Sequence, residues 1–229
     1  MGTIQENIED VHRRIAAACA RSGRAVDDVT LVVVSKTVDV ARIQEALATG
    51  ITQLGENRVQ DATPKIDALY GQTQVTWHMI GHLQSNKVKR AVEYFQMIHS
   101  VDSLKRAQEI DKRAQEQGKN MSILFEVNVS GEESKFGLSP EELPDIVREA
   151  SRYEHLTVKG LMTMAPFVDF PEDTRPYFRA LRELLLTFQE QGFSQMTELS
   201  MGMTNDFEVA VEEGATLIRV GSAIFGARH

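Results

Sequence analysis

Two kinds of apolar pattern alternate along the chain. Short runs of consecutive, mostly β-branched residues predict buried strands, and longer segments with apolar residues every three or four positions predict amphipathic helices. A helix is predicted over residues 4–20, ahead of the first strand, and a helix or short helix-like stretch follows each strand. The predicted strands are 30–35, 52–54, 75–80, 97–100, 122–129, 157–161, 197–200 and 217–220.

This alternation predicts a parallel sheet, because consecutive parallel strands are joined by right-handed helical crossovers. Eight such units in roughly 200 residues indicate an α/β fold, a single (β/α)8 TIM-type barrel with an extra N-terminal helix. An open doubly wound sheet is the alternative that the pattern leaves open. No linker or change of composition divides the chain, so residues 1–229 are expected to form one domain.

Composition and charge narrow the classes of function. The 229 residues are 42% hydrophobic and 25% charged, which is enough apolar material for a core. The net charge of -8 argues against broad binding to nucleic acid or an anionic membrane. The single cysteine excludes an internal disulfide and fits a reducing compartment. With no signal-peptide pattern and no membrane-length apolar run, a cytoplasmic protein is expected.

The first predicted strand ends beside a lysine, in the run Val34-Ser35-Lys36-Thr37. Side chains at the carboxyl ends of barrel strands line the ligand site. Partial burial there is expected to lower the pKa of Lys36 and so to supply an amine that can form a Schiff base. The alternative is a solvated lysine that begins a loop.

The last two strand ends carry glycine and hydroxyl residues, in the runs 200–204 and 221–222. Barrels frequently hold a phosphate in the loops after strands seven and eight, where backbone N–H groups and a helix N-terminus attract an anion. The Ser200 and Ser222 hydroxyls can add hydrogen bonds. Ordinary turn chemistry is the alternative, because glycine and serine are common in turns.

Three other residues invite a chemical role. His78 and His82 are four positions apart, but no glutamate accompanies them as in a helical zinc motif, so no metal site is expected. Glu126 lies within an apolar strand and is expected to be a buried, paired carboxylate, in either a structural or a catalytic role.

A strand-end lysine together with a phosphate cradle fits an aldehyde that bears a phosphate, and pyridoxal 5′-phosphate (PLP) meets both demands. At this point the chain resembles the pyridoxal phosphate homeostasis proteins, PLP-binding barrels related to the alanine racemase N-terminal barrel. The resemblance rests on segments 34–37 (VSKT), 55–57 (GEN), 77–87 (WHMIGHLQSNK), 160–164 (GLMTM), 199–206 (LSMGMTND) and 219–226 (RVGSAIFG).

The resemblance implies a set of cofactor-binding residues and no catalytic ones. Lys36 would form the Schiff base with PLP, and Arg219 would face the pyridine nitrogen and, by keeping its proton, leave that nitrogen unprotonated. The phosphate would be held by Ser200, Met201, Gly202, Gly221 and Ser222, and the ring would be lined by Asn57, His78 and Met79. Where the family usually has serine, threonine and an aromatic residue, this chain has Thr204, Ser222 and Arg58.

The resemblance further implies a monomeric PLP carrier in intracellular vitamin B6 homeostasis, with transient contacts to apo PLP enzymes. A fold-type III PLP enzyme such as an amino acid racemase is the alternative. Racemases use a tyrosine opposite the lysine and continue into a β-domain. Here the four tyrosines lie outside the motifs, and the sequence stops at Ala227-Arg228-His229 after the barrel. A Schiff-base aldolase for sugar phosphates fits the barrel but not the motifs.

Overall fold

The computed structural model describes residues 2–71, 74–132 and 136–226. Eight parallel strands pair in chain order and close into a barrel, so the predicted (β/α)8 fold is confirmed and the open sheet is excluded. The strands are β1 Thr30–Val34, β2 Gln53–Glu56, β3 Thr76–Met79, β4 Met97–Val101, β5 Met121–Glu126, β6 Leu156–Met162, β7 Glu198–Ser200 and β8 Leu217–Val220.

Helices surround the barrel. They are α1 Ile4–Ser22, α2 Val40–Ala48, α3 Val59–Leu69, α4 Val88–Tyr94, α5 Leu104–Glu116, α6 Leu143–Ala150, α7 Arg175–Glu190, α8 Phe207–Glu212 and α9 Ser222–Phe225. Helix α1 is the predicted extra helix. It begins at a capping box between Thr3 and Glu6 and ends at Gly23, whose φ of 70° is left-handed. No helix in the described ranges is both long and apolar enough to cross a membrane.

The main difference from the predicted elements is at β5, which ends at Glu126 rather than at residue 129. Beyond it, Val127 forms an isolated parallel bridge with Leu138. In the predicted loop 131–135, residues 133–135 lie outside the described part of the chain, as do 227–229 at the C-terminus.

The core has two layers, because successive strand residues point to opposite faces of the sheet. The larger cluster lies between the strands and the helices. A smaller apolar cluster, made of Val32, Leu124, Met162 and Leu217, fills the barrel interior, with Met97 packed against it. Two positions further along their strands, Leu217, Leu124 and Met97 are followed by Arg219, Glu126 and His99, all buried. The barrel interior is therefore apolar below and polar towards the carboxyl ends of the strands.

Candidate functional site

Lys36 lies in a tight turn directly after β1. The N–H of Val38 donates to the carbonyl of Ser35 at 3.0 Å, so Lys36 and Thr37 are the central residues of the turn. Thr37 has a φ of 64°, and within the described ranges no other residue except glycine has a positive φ. A β-branched residue in this conformation costs about 1–2 kcal/mol, and such strain is concentrated at ligand sites. The turn projects Lys36 from the carboxyl end of β1.

The partial burial expected for Lys36 is wrong, because its side chain is exposed. The strand ends two residues earlier, and the turn carries the lysine beyond the packed interior. Its chemical interest therefore comes from its position at the barrel mouth and not from burial.

A buried ion pair supports the base of this turn. Glu56, which is fully buried at the end of β2, accepts from Ser35 Oγ and from Lys65 Nζ of α3, both at 2.7 Å. Lys65 Nζ also donates to the carbonyl of Ser35 at 2.8 Å. Sequence reasoning gave this pair no role, because only the barrel brings α3 against the end of β1.

Gly221 and Ser222, two of the residues predicted to hold a phosphate, lie beside the same turn. Strands β1 and β8 pair with Val33 opposite Val220, and a Cβ on Gly221 would lie 3.0 Å from the carbonyl oxygen of Val34. The next residue, Ser222, has its hydroxyl 3.0 Å from that of Thr204. The β1 turn and these hydroxyl groups therefore lie at neighbouring positions on one edge of the barrel.

Ser200 is not part of this hydroxyl pair. Its side chain points into the barrel, where Oγ accepts from Arg219 Nη1 at 2.6 Å and lies 2.8 Å from His99 Nδ1. Sequence reasoning assigned no role to His99. The side chains of Ser200 and His99 both point inward because successive residues of a strand face opposite sides of the barrel wall.

Arg219 and His78 belong to the same interior network. Arg219 Nη2 donates to the carbonyl of Thr163 at 2.9 Å. His78 lies between His99, at 2.9 Å, and Gln53, at 2.8 Å. Arg219, His78, His99 and Ser200 are all less than 5% exposed. Among the predicted ring-lining residues, His78 is thus an interior residue.

Burial sets the charges of this network. It lowers the pKa of His78 to about 4 and the pKa of His99 well below its usual value, so both rings are neutral at pH 7. Burial also lowers the pKa of Arg219, to about 10, against the opposing effect of Glu126 and Asp206. Arg219 therefore remains a cation in a neutral hydrogen-bonding environment.

Burial shifts the pKa of Glu126 in the opposite direction. Burial raises its pKa from 4.5 to about 7, with Arg219 lowering it and Asp102 raising it by smaller amounts. The described part of the chain contains no ion pair to Glu126, so Arg219 acts on this carboxyl only as a nearby charge, and the expected pairing is not found. The carboxyl is half protonated near neutral pH.

This raised pKa predicts a pH dependence of stability. Between about pH 4.5 and 7 the folded protein binds more protons at Glu126 than the unfolded chain, so the free energy of unfolding falls as the pH rises through this window. At about 1.4 kcal/mol per pKa unit, the total is about 3 kcal/mol. Glu126→Gln should lack this term. Urea unfolding at pH 4.5 and 8 measures the effect. The free energy of unfolding of Glu126→Gln, relative to that of the wild type, should be higher at pH 8 than at pH 4.5. The same difference between the two proteins at both pH values would contradict the assignment.

The remaining predicted residues lie around these groups. Asn57 is half-buried after β2 and lies close to Gly81, where a Cβ would be 2.4 Å from the Asn57 carbonyl oxygen. Met79 and Met201 are buried in the outer core. Gly202 is buried in the turn after β7.

A cavity of about 350 Å³ adjoins the predicted ring-lining residues Asn57 and Met79. Arg58, the departure from the family pattern, lines it together with His82 and Lys87. His82 stacks on Phe136 and lies 3.3 Å from Asp102. In the described part of the chain, no cluster of three or more histidine, cysteine or carboxylate side chains could hold a metal ion.

Comparison with known proteins places this geometry in a family. A family profile described as "Alanine racemase, N-terminal domain" matches residues 4–229. The chain is 44% identical to the pyridoxal phosphate homeostasis protein of Aquifex aeolicus, over 97% of each sequence. It is 40% identical to the protein of that name from Pseudomonas aeruginosa, over 100% of this chain and 97% of the relative.

A solved structure is similar to this chain in both sequence and fold. PipY of Synechococcus elongatus, determined with PLP bound, is 38% identical and superposes with a TM-score of 0.84 over 94% of this chain and 100% of PipY. The chain belongs to the alanine racemase N-terminal domain family and, within it, to the pyridoxal phosphate homeostasis proteins.

Proposed function

We propose that this protein binds PLP as a Schiff base on Lys36 and serves in intracellular PLP homeostasis and carriage, without strong catalytic activity. The observation that carries the proposal is the β1–β8 register, which sets the Lys36 turn beside Gly221 and Ser222. An amine and a phosphate cradle on adjacent strands match the two ends of a phosphorylated aldehyde. The PLP-bound structure of PipY supports the choice of ligand.

The donor set fits the phosphate. The Thr204 and Ser222 hydroxyls are 3.0 Å apart and can each donate to a phosphate oxygen. Gly202, Gly221 and the backbone of Met201 would complete the cradle, since glycine allows close approach of a ligand to the backbone. Ser200 was expected here as well, but its hydroxyl is bonded to Arg219 and His99. We assign Ser200 to holding Arg219 and give its place at the phosphate to Thr204.

Arg219 would face the pyridine nitrogen, and Asn57 would lie along the ring, with His78 and Met79 behind them. A pKa of about 10 keeps the Arg219 guanidinium charged at neutral pH, so it can only donate a hydrogen bond. Bound PLP can act as an electron sink for amino acid chemistry, and an unprotonated ring nitrogen makes it a weaker one.

The tyrosines support the same proposal. Tyr70 is 88% exposed after α3, and Tyr94 ends α4. Tyr153 precedes β6, at the amino-terminal face of the barrel. Tyr177 packs against the outer core. None of them directly follows the carboxyl end of a barrel strand, whereas a racemase of this type needs a tyrosine opposite the lysine.

The exposure of Lys36 also suits a carrier. A Schiff base at an exposed amine can be reached by water, so PLP can be released by hydrolysis. We propose a cytoplasmic, monomeric carrier that passes PLP to apo enzymes by transient contact.

The test is PLP titration followed by absorbance, borohydride reduction and peptide mapping. The wild type should give one reducible adduct, located on Lys36, and Lys36→Ala should lose it completely. Lys87→Ala, which removes another lysine near the site, should keep it. A Lys36→Ala protein with the same adduct stoichiometry would overturn the assignment. Exchange of the α-proton of added amino acids in deuterated water would show an enzyme instead of a carrier.

A further inference from the structure

Four hydrogen bonds join five side chains into one chain across the barrel interior. The links are Arg219 Nη1 to Ser200 Oγ at 2.6 Å, Ser200 Oγ to His99 Nδ1 at 2.8 Å, His99 Nε2 to His78 Nδ1 at 2.9 Å, and His78 Nε2 to Gln53 Oε1 at 2.8 Å. The chain runs from β8 through β7, β4 and β3 to the start of β2. It connects the guanidinium of the proposed site to the half-buried Gln53.

The arginine end fixes the direction of the first two links. A guanidinium donates and cannot accept, so Ser200 Oγ accepts from Arg219. In the described part of the chain Ser200 Oγ has no other acceptor partner, so its single hydroxyl proton points to His99 Nδ1. That nitrogen must therefore be unprotonated.

The remaining links follow. A neutral His99 carries its proton on Nε2 and donates to His78 Nδ1. His78 in turn carries its proton on Nε2 and donates to the amide oxygen of Gln53. Each link then has one donor and one acceptor. A proton added to His78 Nδ1 would face the N–H of His99, and one added to His99 Nδ1 would face the hydroxyl proton of Ser200. The lowered pKa values of both rings agree with the neutral arrangement.

This chain does not conduct protons, because Arg219 does not release one at neutral pH. Its effect is to fix which partner donates in each hydrogen bond from Arg219 to Gln53. Arg219 has two acceptors here, the Thr163 carbonyl, which belongs to the backbone, and the Ser200 hydroxyl, which can rotate. His99 removes that rotation by accepting the hydroxyl proton.

We propose that His99 is a positioning residue, which acts through Ser200 to hold the Arg219 guanidinium in the direction that a ligand requires. The part of this inference that concerns the ligand rests on the proposed function. Its structural part, the tautomers of His99 and His78, does not.

Two substitutions at the same residue separate the two links. In His99→Asn the side-chain oxygen can take the place of Nδ1 and keep the bond to Ser200, while contact with His78 is lost. In His99→Gln the longer side chain reaches the place of Nε2 and keeps the bond to His78, while contact with Ser200 is lost. Each variant gives up one buried hydrogen bond, so comparable denaturation midpoints are expected.

PLP binding should distinguish them. His99→Gln should weaken PLP binding by roughly 10-fold or more and shift the absorbance maximum of the bound cofactor, since hydrogen bonds to charged groups have effects of this order. His99→Asn should stay within about 3-fold of wild type, as should the exposed-histidine control His12→Asn. If both His99 variants bound PLP equally weakly, and the loss of affinity followed the loss of stability, the positioning role would be overturned.

Nitrogen-15 NMR of the protein without PLP provides the second readout. His99 and His78 should each show an unprotonated Nδ1 and a protonated Nε2 at pH 7. A proton on Nδ1 of His99 would overturn the inference. If wild type failed to bind PLP, the proposed function would fall, and the tautomers would still decide the direction of the chain.

Discussion

Lys65→Met is expected to destabilise the protein by about 3–5 kcal/mol, because it leaves the buried carboxylate of Glu56 without a counter-charge. Glu56 is fully buried, and both of its hydrogen bonds, from Ser35 and Lys65, use Oε1. Its Oε2 has no hydrogen-bond partner in the described part of the chain. Urea unfolding of the wild type and of Lys65→Met measures the difference in the free energy of unfolding.

Two comparisons make this result specific. Arg148→Met breaks an exposed ion pair with Asp145 of similar length, 2.7 Å, and should cost less than about 1 kcal/mol. Adding Glu56→Gln to Lys65→Met removes the buried charge and should restore part of the loss. Equal costs for Lys65→Met and Arg148→Met would show that the pair contributes little. PLP binding should weaken in Lys65→Met too, because the same ammonium holds the Ser35 carbonyl below the Lys36 turn.

The second large effect is expected for Gly202→Ala. Gly202 has a φ of 89°, and a Cβ there would lie 2.5 Å from Ala210 Cβ and 2.9 Å from Phe207 Cα, both on α8. The conformational cost is about 1–2 kcal/mol, and forced packing adds about 1–3 kcal/mol. Because the carbonyl of Gly202 accepts from the Arg219 N–H, movement of this turn should also weaken PLP binding.

Gly192→Ala is the matched control. Gly192 has nearly the same φ, 98°, but a Cβ there would meet no atom within 4 Å. Thermal or urea unfolding should therefore show only the conformational cost, with PLP affinity unchanged. If both alanine variants lost the same stability, the contact with α8 would not be the cause.

The sequence predicted the barrel well, because runs such as the one at 30–35 have the composition of buried parallel strands and the turn-forming residues mark where they end. It also located Lys36 and Gly221 at strand ends, which a parallel barrel must bring to one face.

Side-chain direction was beyond the sequence. The exposure of Lys36 follows from a turn in which Thr37 has a positive φ, and threonine gives no signal for that conformation. Glu56 and Glu126 both end buried strands, yet one faces α3 and the other faces the barrel interior. Ser200 links Arg219 to His99 only because closure of the barrel brings the ends of β8, β7 and β4 together.

The pairing of β1 with β8 also has a consequence for the order of folding. Thr30 pairs with Leu217, so this seam joins strands from opposite ends of the chain, and it is the last pairing that a growing polypeptide can make. Forming a contact between such distant segments costs loop-closure entropy before the contact stabilises the chain, and this slows folding. The Lys36 turn and the Gly221 loop lie on either side of the seam, so the proposed site exists only once the barrel has closed. A ligand bound across the seam would then stabilise the closed barrel, by an amount that rises with the logarithm of the ligand concentration once this exceeds Kd.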